Sequence, residues 1–258
     1  MSQEHELYAA VLADPDDEAP RRALAAHYDA KGDPHGELIR LQLELATQRA
    51  AGIRDGALLG KERALLKQHG RAWAAPLADL ITGHAFHRGF IGEVTLPLDR
   101  FLDVAPTLFA AAPIQHLNLT APRTRLAELW RSPHLARLTS LGLDNLGLTD
   151  EDAKAIAGAE TLRTLRYLSL SWNKIGRPGV EALAASPWLA NLAVLDLTKN
   201  PCDPIPRPAG HDVDGRVTGI DRPMIANELV SRYGERPWLA NPEDPDTWPL
   251  PRDAYRNR

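Results

Sequence analysis

His84 and His87 form an H-x-x-H pair beside Phe86 and Phe90. A metal ion held there would need further ligands from elsewhere in the chain, and a polar edge on the first strand accounts for the pair without one. Asp14, Asp16, Asp17 and Glu18 gather carboxylates as a calcium loop does. The run lacks such a loop's ordered alternation and central glycine, and it suits the capping of a helix start. Cys202, the single cysteine, falls where a small buried apolar residue is expected, so it reads as core and not as a nucleophile. A lone cysteine also excludes an internal disulfide framework and a cysteine-based zinc site. The G-x-S-x-G elbow, G-x-G-x-x-G, the Walker loop and H-E-x-x-H are absent. The expectation is no catalytic residue, no metal and no cofactor.

Binding is the chemistry that the remaining residues suit. Tyr167 and Trp172 are large aromatics set among small polar residues, the composition of an interface anchor. The alternative is that Trp172 packs over its own turn and its surroundings are merely solvated. Net charge is -4 and charged residues make up 25% of the chain, which gives no reason to expect nucleic acid or an anionic membrane as the partner. Arg123, Arg125, Arg131 and Arg137 read as a solvated face. The N-terminus lacks the basic start and apolar run of a secretory signal, and no stretch reaches the ~20 apolar residues of a membrane span, so a cytoplasmic location is expected.

The elements that position these residues come from an internal repeat. IQHLNL (114–119), LTSLGL (138–143), LRYLSL (165–170) and LAVLDL (192–197) align on Leu117, Leu141, Leu168 and Leu195, at spacings of 24, 27 and 27 residues. IGEVTL (91–96) fits the same frame through Val94. Asn173 and Asn200 stand five residues past the central leucine; Leu148, Ile175 and Cys202 stand seven past it. Each segment alternates at the strand period, while Ala153, Ile156 and Ala157, then Val180, Leu183 and Ala184, return at helical spacing. Thr149 is the expected N-cap of the first of these helices, with Asp150, Glu151 and Asp152 in its first turn.

These segments resemble leucine-rich repeats, and the 27-residue length with a helical return resembles the ribonuclease-inhibitor-like class. The resemblance covers roughly residues 88–202. It implies an α/β right-handed solenoid with parallel strands on a concave inner face, helices outside, and asparagines bonded to backbone groups in the turns. The 138–148 unit departs from the pattern, with Leu146 at the asparagine position and Asn145 one residue early, so an irregular turn is expected there. In this frame the concave positions are Glu93 and Thr95; His116, Asn118 and Thr120; Ser140, Gly142 and Asp144; Tyr167, Ser169 and Ser171; Val194, Asp196 and Thr198. Asn145, Trp172 and Lys199 extend the strip into the turns. Glu93, His116, Asn118, Asp144, Tyr167, Ser169, Trp172, Asp196 and Thr198 are the candidate partner-binding residues.

Both ends of such a stack need caps. Residues 1–83 read as helical: one helix through Leu7, Val11 and Leu12, a second through Leu24 and Tyr28 ending at Gly32-Asp33-Pro34, a third over 36–46 and a fourth over about 56–69. Residues 13–46 resemble a bacterial repeat-companion domain, a helical module that precedes leucine-rich repeats. The match lies in Asp14-Pro15-Asp16-Asp17, Ala19-Pro20-Arg21, Gly32-Asp33-Pro34 and Gly36-Glu37-Leu38-Ile39-Arg40-Leu41-Gln42, with FHRGFIGEV (86–94) as the entry into the repeats. After the repeats (84–202), the proline-rich 203–210 resists helix and sheet, and 224–239 reads as a single capping helix within 203–240. Residues 241–258 form a proline-rich tail, either loose or docked through Trp248 and Leu250. The expected protein is a monomer that binds another protein and is not an enzyme. A regulator or inhibitor of a partner enzyme, GTPase-modulating or toxin-neutralising, is the alternative that the wider repeat family implies.

Overall fold

The computed structural model describes residues 2–204, 207–211, 217–221 and 224–240, so the tail at 241–258 lies outside the described residues. The chain is mixed α/β and divides into two compact units: Met1–Leu96 with Asp103–Gln115, and Pro97–Leu102 with His116–Arg258. The helical region expected to end at residue 83 therefore shares its unit with the strands that follow it.

The first unit begins with α1 (Gln3–Ala13), α2 (Glu18–Ala30), α3 (His35–Ala50) and α4 (Gly56–Ala74). Capping sets the boundaries. Ser2 caps α1, Asp17 caps α2 through a bond from the Ala19 amide, and Asp55 caps α4. The acidic run at 14–18 is thus a turn and a cap. Val11, Leu24, Ala25, Ile39, Leu43 and Phe90 form the core, flanked by Leu7, Tyr8 and Tyr28. β1 (Gly83–His87) and β2 (Phe90–Pro97) make an antiparallel hairpin. The repeat frame anticipates β2 but not this partner.

Arg88 and Gly89 turn the hairpin, both at positive φ (51° and 93°). Three helical side chains hold that turn. Arg21 donates to the Arg88 carbonyl (2.9 Å), Gln42 accepts from the Gly89 amide (2.7 Å) and donates to the Phe86 carbonyl (2.9 Å), and His35 Nε2 meets the Gly89 carbonyl at 2.7 Å. A β-carbon at Gly89 would lie 2.3 Å from Ile39 Cγ1, so only glycine fits.

After α5 (Leu98–Ala111), the second unit carries β3 (His116–Thr120), α6 (Leu126–Leu129), β4 (Ser140–Gly142), α7 (Asp150–Ala157), β5 (Tyr167–Ser169), α8 (Arg177–Ala185) and β6 (Val194–Asp196). β3, β4, β5 and β6 are parallel, and Leu117, Leu141, Leu168 and Leu195 are successive register partners. The leucine alignment is therefore the hydrogen-bonding register. The shorter 24-residue step has a shorter return, a four-residue α6 and a 3-10 turn at Pro133–Arg137. Leu141, Leu143, Leu168, Leu170, Leu195 and Leu197 are buried together with Ala153, Ile156, Val180, Leu183 and Ala184. Full burial of each Leu or Ile contributes about 1.5–3 kcal/mol.

Two further strands, β7 (Arg207–His211) and β8 (Val217–Asp221), pair antiparallel. This corrects the expectation that 203–210 resists sheet. A two-stranded ribbon has two edges, where proline need not donate, and the register slips next to Pro208. α9 (Met224–Tyr233) packs against α8, and α10 (Pro237–Ala240) adds a second helix where one was expected.

Candidate functional site

The turns after β5 and β6 are each built around an asparagine. Asn173 accepts from the Leu146 and Leu148 amides (3.0 Å each) and donates to the Leu143 and Leu170 carbonyls (2.9 and 2.8 Å). Asn200 accepts from the Ile175 amide (3.0 Å) and donates to the Leu170 and Leu197 carbonyls. Each asparagine satisfies buried backbone groups of its own turn and of the turn before it. The turn at 145–148, which lacks its own asparagine, is served from Asn173. Gly147 adopts positive φ (66°) there, as its counterparts Lys174 and Pro201 do not, so this turn departs from the other two as the displaced asparagine led one to expect.

Asn145, Trp172 and Lys199, spaced by 27 residues, all adopt left-handed backbone (φ 54°, 57° and 62°). Asparagine tolerates that region; for tryptophan and lysine it costs about 1–2 kcal/mol. Backbone bonds from Asn145 N to Ser171 O and from Trp172 N to Thr198 O, 2.9 Å each, tie the row together. All three residues are exposed, Trp172 at 61%, with Lys199 Nζ 5.6 Å from the Trp172 ring centroid. Trp172 does not bury itself over its own turn.

The strand positions opposite the leucines are more enclosed than their alternation suggests. Asn118 (3% exposed), Ser140 (0%) and Ser169 (6%) are buried. Strands about 4.8 Å apart let large side chains screen small ones between them; Ser140 lies in register between His116 and Tyr167, both half-buried. Asp144, Asp196 and Thr198 are half-buried too. The Asp144 carboxylate accepts from Ser169 Oγ and from the Ser171 amide (2.9 Å), and Asp196 accepts from the Thr198 amide (2.9 Å). Burial, with the nearby Asp196 charge, pushes the Asp144 carboxyl up despite those bonds. Glu93 is 4% exposed, lies in the first unit and meets His87 at 3.3 Å. Asn118, Ser169 and Glu93 therefore cannot make the direct contacts expected of them; His116, Asp144, Tyr167, Asp196, Thr198 and Trp172 keep accessible surface.

Among the described residues, no group of three or more His, Cys, Asp or Glu side chains could hold a metal ion. His84 packs edge-on against Phe86. Cys202 is half-buried, and burial raises its thiol, the opposite of activation. Arg123 bonds Asp152 and the Gly147 carbonyl, and Arg125 pairs with Glu128, so these arginines are already engaged within the chain. Sequence reasoning missed one structural link: the Asp150 carboxylate accepts from the Gly176 and Gly179 amides (2.7 and 3.1 Å), joining α7 to the start of α8. Gly176 and Gly179, at the start of the next repeat's helix, were the available signal.

A strand, an asparagine turn and a returning helix, recurring in parallel register, define a strand–helix repeat protein. The particular repeat follows from comparison: residues 161–184, which span β5, its turn and most of α8, match the family model described as Leucine Rich repeat. No curated protein and no solved structure matches the chain. Among the described residues, no helix is long and apolar enough to cross a membrane.

Proposed function

We propose that this chain is a non-enzymatic protein-binding module. In this reading its leucine-rich repeats form a short solenoid of the ribonuclease-inhibitor-like type, capped by the helical first unit as a repeat-companion domain. Leucine-rich repeats commonly mediate protein–protein interaction, and the partner would be another protein. The contact surface is the turn row with the accessible strand positions beside it: Trp172 and Lys199, with Tyr167, His116, Asp144, Asp196 and Thr198.

One observation carries the reading. Trp172 is held at positive φ with most of its surface in water, although glycine or asparagine would be cheaper there. A large ring kept exposed at a cost in stability is what an interface anchor requires.

The test is to capture partners on the immobilised chain, identify them by mass spectrometry, and titrate the purified partner against wild type and Tyr167→Ala/Trp172→Ala. Loss of anchors costs about 2–4 kcal/mol in binding, so affinity is expected to fall at least thirtyfold while the circular dichroism spectrum is retained. Unchanged affinity in the folded double variant overturns the proposed surface.

A further inference from the structure

The first unit contains a cavity of about 510 Å³ that the repeat surface does not involve. Its size falls within the about 300–1,000 Å³ usual for small-molecule sites. Seven aromatic rings line it: His5, Tyr8, Tyr28, His35, Trp73, Phe86 and Phe90. Tyr28, His35 and Trp73 form a stack, with centroids 5.0 and 4.7 Å apart and planes within 8° and 21°. Phe90 tilts against Tyr8 and His35 at 5.2 Å, and Phe86 meets Trp73 near edge-on at 6.2 Å. The stack covers the faces of His35, and the Arg21 guanidinium lies over Phe90, so the ring surface left to a guest is chiefly that of Tyr8, Tyr28, Trp73 and Phe86.

Charge narrows the guest. Among the described lining residues there is no lysine or arginine, Glu4 is the one carboxylate, and His5 and His35 are the two imidazoles. Burial lowers the His35 imidazole's affinity for a proton, so this ring stays neutral in the wall. Aromatic faces carry negative potential, and this unit already uses one of them: the Arg21 guanidinium carbon sits 5.5 Å from the Phe90 centroid. The polar groups are already committed. The Tyr8 hydroxyl donates to the Ala111 carbonyl (2.7 Å), the Tyr28 hydroxyl donates to Glu4, and Glu4 pairs with Lys31 (2.6 Å). A primary ammonium would bring three donors and find few acceptors. A cation without N–H groups has no such need.

We propose that this cavity binds a small organic cation of the quaternary ammonium class, held by ring faces and not by a salt bridge. The site lies in a different unit from the repeat surface and does not rest on the protein-binding reading.

The experiment is isothermal titration of the full chain with choline and, separately, with 3,3-dimethylbutanol, its uncharged carbon isostere. Choline is expected to bind at least about tenfold more tightly, the preference that cation–ring attraction supplies. Trp73→Leu, which keeps apolar bulk and removes the ring, is expected to abolish that preference, and Trp172→Ala to leave it intact. Equal affinity for the two probes, or binding of neither at millimolar concentration, overturns the proposal; both results come from the unaltered chain. A preference that survives in folded Trp73→Leu and Phe86→Leu proteins overturns it as well.

Discussion

Replacing Asn173 by alanine removes a buried side chain that bonds to two turns at once. Not every partner is stranded. The Leu170 carbonyl keeps its bond from Asn200, and the Ser171 carbonyl keeps that from the Asn145 amide. The Leu146 amide, the Leu148 amide and the Leu143 carbonyl lose the bonds that Asn173 makes to them. Each buried orphan costs about 1–3 kcal/mol, so the loss is expected to be at least about 3 kcal/mol, a large share of the about 5–15 kcal/mol that holds a typical domain together. Asn200→Ala strands chiefly the Ile175 amide, since Leu170 retains Asn173 and the Leu197 carbonyl retains the Asn200 amide. It is expected to cost only about 1–3 kcal/mol. Urea unfolding followed by circular dichroism gives the two losses. Hydrogen exchange at the amides of Leu146 and Leu148 places the effect in the second unit. An Asn200→Ala loss equal to or greater than that of Asn173→Ala would refute this accounting.

Trp172→Gly relieves the left-handed strain and forfeits little burial, so stability is expected to hold or rise by up to about 1 kcal/mol; a clear drop in melting temperature would count against the strain. Gly89→Ala drives a methyl into Ile39 at a positive-φ position and is expected to cost at least about 3 kcal/mol in the first unit, read by urea unfolding; near-native stability would contradict the close approach. His35 has a folded pKa below its unfolded value of about 6.5. The unfolded state therefore binds the extra proton, and the stability of the neutral ring, complete above about pH 6.5, declines as pH falls below it. His35→Gln is expected to flatten that part of the pH–stability curve, and an unaltered slope would assign it to other groups.

Periodic features were legible in the sequence. The leucine frame became the strand register because a two-residue alternation leaves one residue set for the core. The N-caps at Asp17 and Thr149 were legible because capping is local; Asp152 Oδ2 accepts from the Thr149 amide at 2.8 Å. Features that depend on neighbours across space were not. IGEVTL fits the repeat frame, yet periodicity does not specify a partner, and its antiparallel pairing with β1 went unseen. Asn118, Ser169 and Glu93 alternate as surface residues should, but their burial is decided by what stands beside them. The aromatic cavity draws on positions 5, 8, 28, 35, 73, 86 and 90, which share no spacing. The left-handed row could have been suspected from Asn145 alone, since Trp172 and Lys199 carry no mark of that conformation.

The grip of Arg21, His35 and Gln42 on the 88–89 bend bears on how this molecule can be divided. Those contacts close separations of 67, 54 and 47 residues. A fragment cut at residue 83 would keep the gripping side chains and lose part of what they hold: Arg21 would retain only the Pro15 carbonyl, and the Gln42 carbonyl oxygen would lose the Gly89 amide. Helices and ribbon are thus obliged to mature together, and the smallest autonomous N-terminal piece must extend at least through the returning strand.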